Sequence, residues 1–414
     1  MGKTKTVNFT KEDIWKVNLI ALWLSQLFIN MGYGLAMPFI PYHLEAMGNL
    51  TADELSFYTG LSSSIPAAAM AVASPFWGKM SDRYGRKNML VRAIICGSIA
   101  LFFMGAAKSI PMFMIFRVFQ GFFTGSFPAS MALVSANTPD RNLSQAIGFM
   151  TSSGFLGYAI GPVIGGFLCN YFSYTACFYI GTVINTLGLV VCIVVKELPD
   201  TYGKALIEER RRKKAEGTHT GGMMSAGVLL ILVTMLFMRL SRTVFQPFIP
   251  LYVREVLGGM DGATTYIGIL NGAVCVTTAV ASVTLARLGD RYDKFGFTAI
   301  LTVISLVFTV IVCFDLPLWW FIIGYGAYFF FIGAVEPVAT SAASEIVDPG
   351  VLGVLFGWLN TVSSLGQMFA PMVGTALSVA MGTRAILLAM PAFTALELIT
   401  TIMLVSYAKK KREA

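Results

Sequence analysis

The sequence predicts an all-α membrane protein: twelve transmembrane helices in two six-helix bundles, with both termini on the cytoplasmic side. Three observations carry this expectation. Of 414 residues, 56% are hydrophobic and 13% charged, and the mean hydropathy is positive; a soluble domain of that balance would present an aggregating surface. Apolar runs of about 20 residues, enough to cross the hydrocarbon layer as helix, recur twelve times. Short patterns of the first half return in the second at a nearly constant offset. An outer-membrane β-barrel calls for segments of about ten residues with alternating polarity, which this sequence does not offer.

The runs are read as spans over 17–42, 55–77, 89–107, 111–135, 143–170, 172–195, 223–252, 263–288, 297–314, 318–343, 351–381 and 385–407. Six lie in an expected N-terminal bundle, residues 1–196, and six in a C-terminal bundle, 223–414, joined by a linker at 197–222. The linker holds Arg210, Arg211, Arg212, Lys213 and Lys214 without an apolar period, the pattern of a solvated connector. Basic residues decide the orientation. On the faces that alternate from the N-terminus, 23 Lys and Arg share the side of the tails and linker, against Lys108, Arg254 and Arg384 opposite. By the positive-inside rule the tails are cytoplasmic, so the formal charge of +8 reports topology and not nucleic-acid binding. Trp319 and Trp320 fit an interfacial aromatic belt, and no small-residue cleavage site follows the first run, so span 1 is expected to stay attached. Cys96, Cys169, Cys177, Cys192, Cys275 and Cys313 lie in or beside spans without metal-ligand spacing and read as small core residues. His43 and His219 complete no zinc or triad pattern, so neither metal nor cofactor is expected.

The repeat is explicit. Pro38-Phe39-Ile40-Pro41 returns as Pro247-Phe248-Ile249-Pro250, and Asp82-Arg83-Tyr84 as Asp290-Arg291-Tyr292. Gly148, Leu156-Gly157, Pro162 and Gly165 return as Gly357, Leu365-Gly366, Pro371 and Gly374. Six spans separate the equivalents, an even number, so the halves share an orientation and are related by an axis along the membrane normal, as in transporters whose two bundles rock about a midplane site.

Three motifs carry chemistry. Between spans 2 and 3 stands Gly78-Lys79-Met80-Ser81-Asp82-Arg83-Tyr84-Gly85-Arg86-Lys87; glycines permit a tight turn, and an aspartate with a basic cluster makes a charged latch at the membrane surface. In span 4, Arg117 precedes Gln120 and Gly121, and an arginine at that depth costs about 2.5–3.5 kcal/mol on insertion scales, so it is rarely idle. In span 5, Gly157, Gly161 and Gly165 recur every fourth residue and line one helix face, where another helix can approach closely, while Pro162 bends the helix and frees carbonyls. These motifs, with Gly166 closing the last, resemble those of the major facilitator superfamily, and the span 5 motif is similar to that of its drug:proton antiporter branch. Met80 departs from the usual leucine. Pro139-Asp140-Arg141 resembles a further loop of the family, and Pro-Phe-Ile-Pro with the span 5 motif looks most like the MdtG-like bacterial multidrug exporters. The resemblance covers the N-terminal half directly and the rest through the repeat.

It implies that Gly78, Asp82, Arg83, Gly85, Arg86 and Lys87 latch the two halves together on the cytoplasmic side in the outward-open state. It also implies that spans 1, 4, 7 and 10 face a central cavity. On them lie Asn30, Arg117, Gln120, Arg239, Arg242, Gln246 and Glu336, with Phe127, Met238, Phe245 and Phe329 among the aromatic and thioether side chains that suit varied apolar ligands. Arg239 and Arg242, three apart, point the same way; two guanidiniums in low dielectric call for an anion, and Glu336 is the nearest by fold analogy. Glu336, paired and unpaired in turn, is the expected proton-coupling residue, and the resemblance links Arg117 to proton transfer. A static ion pair and a structural arginine are the alternatives. Glu397, deep in span 12, reads as a packing residue of a peripheral helix. Several exporters of the branch carry an acidic residue in span 1, where this chain has Asn30. Three deep arginines against Glu336 and Glu397 argue against a purely cationic substrate.

The expected function is therefore secondary active transport, proton-coupled efflux of amphipathic drugs or related small molecules by alternating access. The resemblance implies a monomer in a bacterial cell membrane. Export of one physiological solute is the alternative; a membrane enzyme lacks its catalytic cluster here, and a receptor its extramembrane domain.

Overall fold

The structure, a computed structural model, describes residues 11–139, 142–197, 226–289, 291–346 and 352–413. No strand occurs among them, and the helices form twelve crossings. These are α1 (Lys11–Ala36, prolonged by the 3-10 turn Met37–Phe39 and the helix Ile40–Glu45), α2 (Ala52–Tyr84), α3 (Arg86–Ala106), α4 (Ile110–Phe123, resumed as Ser126–Asn137), α5 (Leu143–Tyr171) and α6 (Tyr174–Cys192). The second half adds α7 (Ala226–Thr243, prolonged by Gln246–Phe248 and Ile249–Leu257), α8 (Ala263–Gly289), α9 (Lys294–Val312), α10 (Leu318–Ile346), α11 (Leu352–Met381) and α12 (Ala385–Glu413). Among the described residues, 11 helical stretches are long and apolar enough to cross a membrane; α2, with 33 residues, meets the length without the apolarity. Most of the expected linker lies outside the described residues, as do Asp140, Arg141, His219 and Asp290.

Lipid offers backbone groups no hydrogen bonds, so spanning segments must be helical. Several hydroxyls within the helices bond to their own backbone: Thr124 donates to Gln120 O (2.6 Å), Thr182 to Phe178 O (2.8 Å) and Thr298 to Lys294 O (2.7 Å). Thr51 and Glu54 form a capping box at the start of α2, and Asp293 caps α9 by accepting from Gly296 N at 2.8 Å. Both copies of Pro-Phe-Ile-Pro tighten their helix into a 3-10 turn, since proline removes a donor and clashes with the preceding turn.

Two boundaries differ from the sequence expectation. Gly78–Tyr84, expected as loop, is the end of α2, and Gly85 alone turns the chain, at φ +96°. At 1.5 Å per residue α2 is about 50 Å long, so its polar end overruns the bilayer core and is solvated without a break. Span 4, expected unbroken, is interrupted between Phe123 and Ser126, with Gly125 at φ +115°, a conformation open to glycine without steric cost.

Packing repeats with the sequence. In the first half α1 packs on α5 and α6, α3 on α6 and α2 on α4; in the second, α7 packs on α11 and α12, α9 on α12 and α8 on α10. Across the halves α2 meets α11 and α5 meets α8. Glycine makes the tightest of these contacts. A Cβ on Gly157 would stand 2.7 Å from Asn30 Cβ, one on Gly161 2.7 Å from Met31 O, and one on Gly165 closer still to Leu35 O. The second half repeats this, with Gly366 against Arg239 Cβ (2.8 Å) and Gly374 against Val244 O (2.6 Å).

The halves meet at the end opposite the chain termini, the distal end. There Tyr42 Oη donates to Pro250 O (2.6 Å), Glu45 pairs with Arg254, Ser378 Oγ donates to Ser56 Oγ (2.9 Å), and Asn170 bonds to Thr264 and Thr265. A Cβ on Gly268 would lie 2.6 Å from Pro162 O of the other half. Toward the terminal end, Gly78, Gly148 and Gly357 on α2, α5 and α11 have nothing within 4 Å of a Cβ position. Among the described residues, the hydrogen bonds and the ion pair between the bundles all lie at the distal end.

Thermal unfolding in detergent is expected to separate these two kinds of glycine. Gly165→Val should destabilise by about 1–3 kcal/mol through overpacking, whereas Gly357→Ala should be neutral or stabilising by about 0.5–1 kcal/mol. Equal effects would refute the packing assignment.

Candidate functional site

The last turns of α7 before its break carry Arg239 and Arg242, three residues apart and so on one face. Glu336, next to the internal Pro337 of α10, reaches both. Arg239 Nη2 lies 2.7 Å from Oε1 and Arg242 Nη1 3.1 Å from Oε2, so each carboxylate oxygen takes one guanidinium. The arginine side chains are 17% and 15% exposed and Glu336 is 38% exposed. Arg239 Nη2 also donates to Ser363 Oγ on α11 (3.4 Å), and the Arg242 guanidinium stands 5.7 Å from the Phe329 ring centroid. Two cations and one anion leave the cluster one positive charge in excess.

Applying the repeat offset to these residues shows how unequal the halves are. Gly157 contacts Asn30 as Gly366 contacts Arg239, so Asn30 is the counterpart of Arg239; by the same spacing Tyr33 answers to Arg242 and Phe127 to Glu336. The first half therefore has a neutral set where the second has ions. Asn30 Nδ2 donates to Gln26 O (2.8 Å) and Gln26 Nε2 to Ser130 Oγ (2.8 Å). Phe127 is half-buried and Gln246 exposed. Met238 and Phe245 are fully buried, as packing residues of a membrane bundle are.

Arg117 is buried, 7% exposed, among neutral acceptors. Its Nε donates to Ser62 O (2.7 Å) and its Nη1 to Gln120 Oε1 (2.5 Å), with Met37 Sδ at 3.2 Å. Among the described residues it forms no ion pair. Gly121 lets α4 reach the backbone of Pro66 in α2, so this motif joins α2 to α4.

Arg86 and Lys87 of the latch make bonds within their own half. Glu197, after α6, accepts Arg86 N (2.7 Å) and Lys87 N (2.9 Å), holding a carboxylate at the N-terminus of α3, where the helix dipole favours it. Lys87 Nζ donates to Ile193 O (3.0 Å). Arg83 is exposed over the Tyr84 ring, and the Asp82 side chain lies outside the described residues.

Sequence reasoning missed Arg92, a fourth arginine of the spans, whose guanidinium lies 3.4 Å from the Trp77 ring centroid. It also missed the Glu45–Arg254 pair. For that pair the available signal was opposite charge at repeat-equivalent positions. A cleft of about 430 Å³ between Leu55, Leu251, Arg254 and Thr383 opens at the distal end and holds none of the cluster residues.

With this geometry in hand, comparison with known proteins is informative. The family model of the Major Facilitator Superfamily matches residues 22–258 and again 231–414. The chain belongs to the Major Facilitator Superfamily. It is accordingly a transporter of small molecules and not an enzyme, a multi-pass protein of the cell membrane. It is 28% identical over 411 residues to the "Multi-drug resistance efflux pump PmrA homolog" of Lactococcus lactis, covering 96% of both chains. It is 27% identical to "Multidrug resistance protein MdtG" of Serratia proteamaculans, covering 90% of both. Among solved structures it resembles a bacterial homolog of the human lysosomal transporter Spinster in an inward-facing and occupied conformation. The TM-score is 0.72 at 14% identity, over 94% of this chain and 96% of that one, a likeness of superfamily fold.

A double-mutant cycle on unfolding stability is expected to find coupling of about 1–2 kcal/mol between Arg239→Ala and Glu336→Ala, reduced from the fully buried case by partial exposure. Arg117→Ala and Glu336→Ala should be additive within about 0.5 kcal/mol.

Proposed function

We propose that the chain is a proton-coupled exporter of amphipathic drugs or related small molecules, working as a monomer by alternating access. Residues 1–196 and 223–414 are the two rocking units and 197–222 their connector. The observation that carries this reading is Glu336 shared between Arg239 and Arg242 within the spans. The distribution of 23 basic residues against 3 puts the tails in the cytoplasm, and the conformation is then inward-open, with the distal contacts as the closed external gate.

Each oxygen of the Glu336 carboxylate is taken by one guanidinium; when substrate or a helix movement withdraws a guanidinium, a proton is the alternative partner for the oxygen left behind. Substrate and proton then compete for one site, which is the requirement of antiport. The names of the Lactococcus and Serratia relatives support multidrug export as the direction and breadth of transport. The cluster's excess positive charge favours amphiphiles that carry a negative or dipolar group. Arg117, bonded to neutral groups, is assigned to holding α2 against α4, with no proton step of its own.

In everted vesicles under an imposed pH gradient, wild type is expected to accumulate rhodamine B, a zwitterionic amphiphile. Glu336→Gln should lose at least ten-fold of that gradient-driven uptake and retain gradient-free exchange. Undiminished coupling in Glu336→Gln would remove this residue from the mechanism. Tags at both ends should be accessible on the outer face of everted vesicles; detection of only one would overturn the topology.

A further inference from the structure

One acidic side chain within the membrane stands apart from the cluster. Glu397 on α12 is fully buried, and among the described residues it has no ion-pair partner. Its Oε1 has one neighbour, the Thr302 hydroxyl on α9 at 3.4 Å, and its Oε2 has none. Little hydrogen-bond donation reaches this carboxyl. The Thr302 hydroxyl has one hydrogen to give and faces two acceptors, Thr298 O at 3.0 Å and Glu397 Oε1 at 3.4 Å, while the Thr400 and Thr401 hydroxyls donate to the backbone carbonyl of Glu397 at 2.9 and 2.8 Å. A carboxylate would have at best that one long, contested donor for its two oxygens, whereas a neutral carboxylic acid needs less. An ionised group here would also be desolvated without compensation.

The ionisable groups around it are few. Arg242 on α7 and Tyr328 on α10 lie within electrostatic reach, α9 presents Thr302, and α11 has no titratable residue along its length. Arg242 is already engaged by Glu336. Tyr328 Oη and Thr394 Oγ1 meet Ser241 Oγ at 2.8 and 2.6 Å; Ser241 precedes Arg242 in the chain and Thr394 is one turn from Glu397. These three hydroxyls form a buried polar group one residue from Arg242 in sequence and one turn from Glu397.

We propose that Glu397 is a second proton-binding site, a neutral carboxylic acid in the conformation described here that ionises only when Arg242 turns from Glu336 towards it. In that exchange one O–H bond breaks at Glu397 and one forms at Glu336, so a single proton changes carboxyl and Arg242 follows the negative charge. The inference rests on the proton-coupled reading above, yet the protonation of Glu397 is measurable without transport.

Infrared spectroscopy of the full-length protein in liposomes at neutral pH tests the assignment. A protonated-carboxyl band is expected in wild type, kept in Glu336→Gln and lost in Glu397→Gln. In the same liposomes Glu397→Gln is expected to lose at least ten-fold of the pH-gradient-driven transport of rhodamine B and keep its gradient-free exchange. Absence of the band from wild type, its survival in Glu397→Gln, or full coupling in Glu397→Gln each overturns the proposal. If Glu397→Gln does not fold, Glu336→Gln decides, because it keeps Glu397 and must keep the band. A wild type indifferent to the gradient would count against coupling and overturn the proton exchange, leaving the band to report the state of Glu397 by itself.

Discussion

The approach of α1 to α5, backbone against backbone, is the constraint on which the rest of the molecule depends. Helices in lipid gain nothing by hiding apolar surface from water, so they hold together through close packing and polar contacts. Gly157, Gly161 and Gly165 supply that closeness to α1, while Gly166 on the same helix lies against Thr264 of α8. One helix therefore packs on its own bundle on one side and meets the other bundle on another. The same arrangement in the second half presses Arg239 against Gly366. The position of the ion cluster is thus a by-product of helix packing, with the chemistry built onto a contact that the fold already needed.

The two bundles share a frame and divide the work. Where α7 and α10 carry Arg239, Arg242 and Glu336, their counterparts on α1 and α4 are Asn30, Tyr33 and Phe127. The first half invests its polar residues differently: Arg117 and Gln120 brace α4 against α2, and Glu197 closes the N-terminus of α3. The ions of the shared cluster are kept in one bundle, where a shift of α7 acts on both arginines at once. The other bundle has no deep ion pair among its described residues to break when it moves.

Much of this could be read from the chain. Hydropathy gave the spans because lipid imposes one length and one secondary structure, and the repeat gave the pairing of halves because it survives as spaced glycines and prolines. Arg239, Arg242 and Glu336 were legible as a group because ions at that depth must find one another. What escaped reading depended on tertiary context. Nothing local distinguishes Gly78–Tyr84 as helix from the same residues as loop once the segment leaves the bilayer. The break in α4 rests on Gly125 adopting a positive φ that glycine permits and does not require. Arg92 was missed because its partner is the face of Trp77 and not a charge. Glu397 was set aside as peripheral from its place in the order of helices, whereas its burial comes from α7 and α9 closing over it.

The Glu45–Arg254 pair has a meaning beyond closing the distal end. These two residues occupy the same position in successive copies of the repeat, so they face each other near the pseudo-twofold axis. In a symmetric pair of identical six-helix chains that position would confront its own like, two carboxylates or two guanidiniums, and the contact would repel. Opposite signs there require both copies to be written in one polypeptide. Covalent duplication thereby made attractive an axial meeting point that perfect symmetry would have made costly.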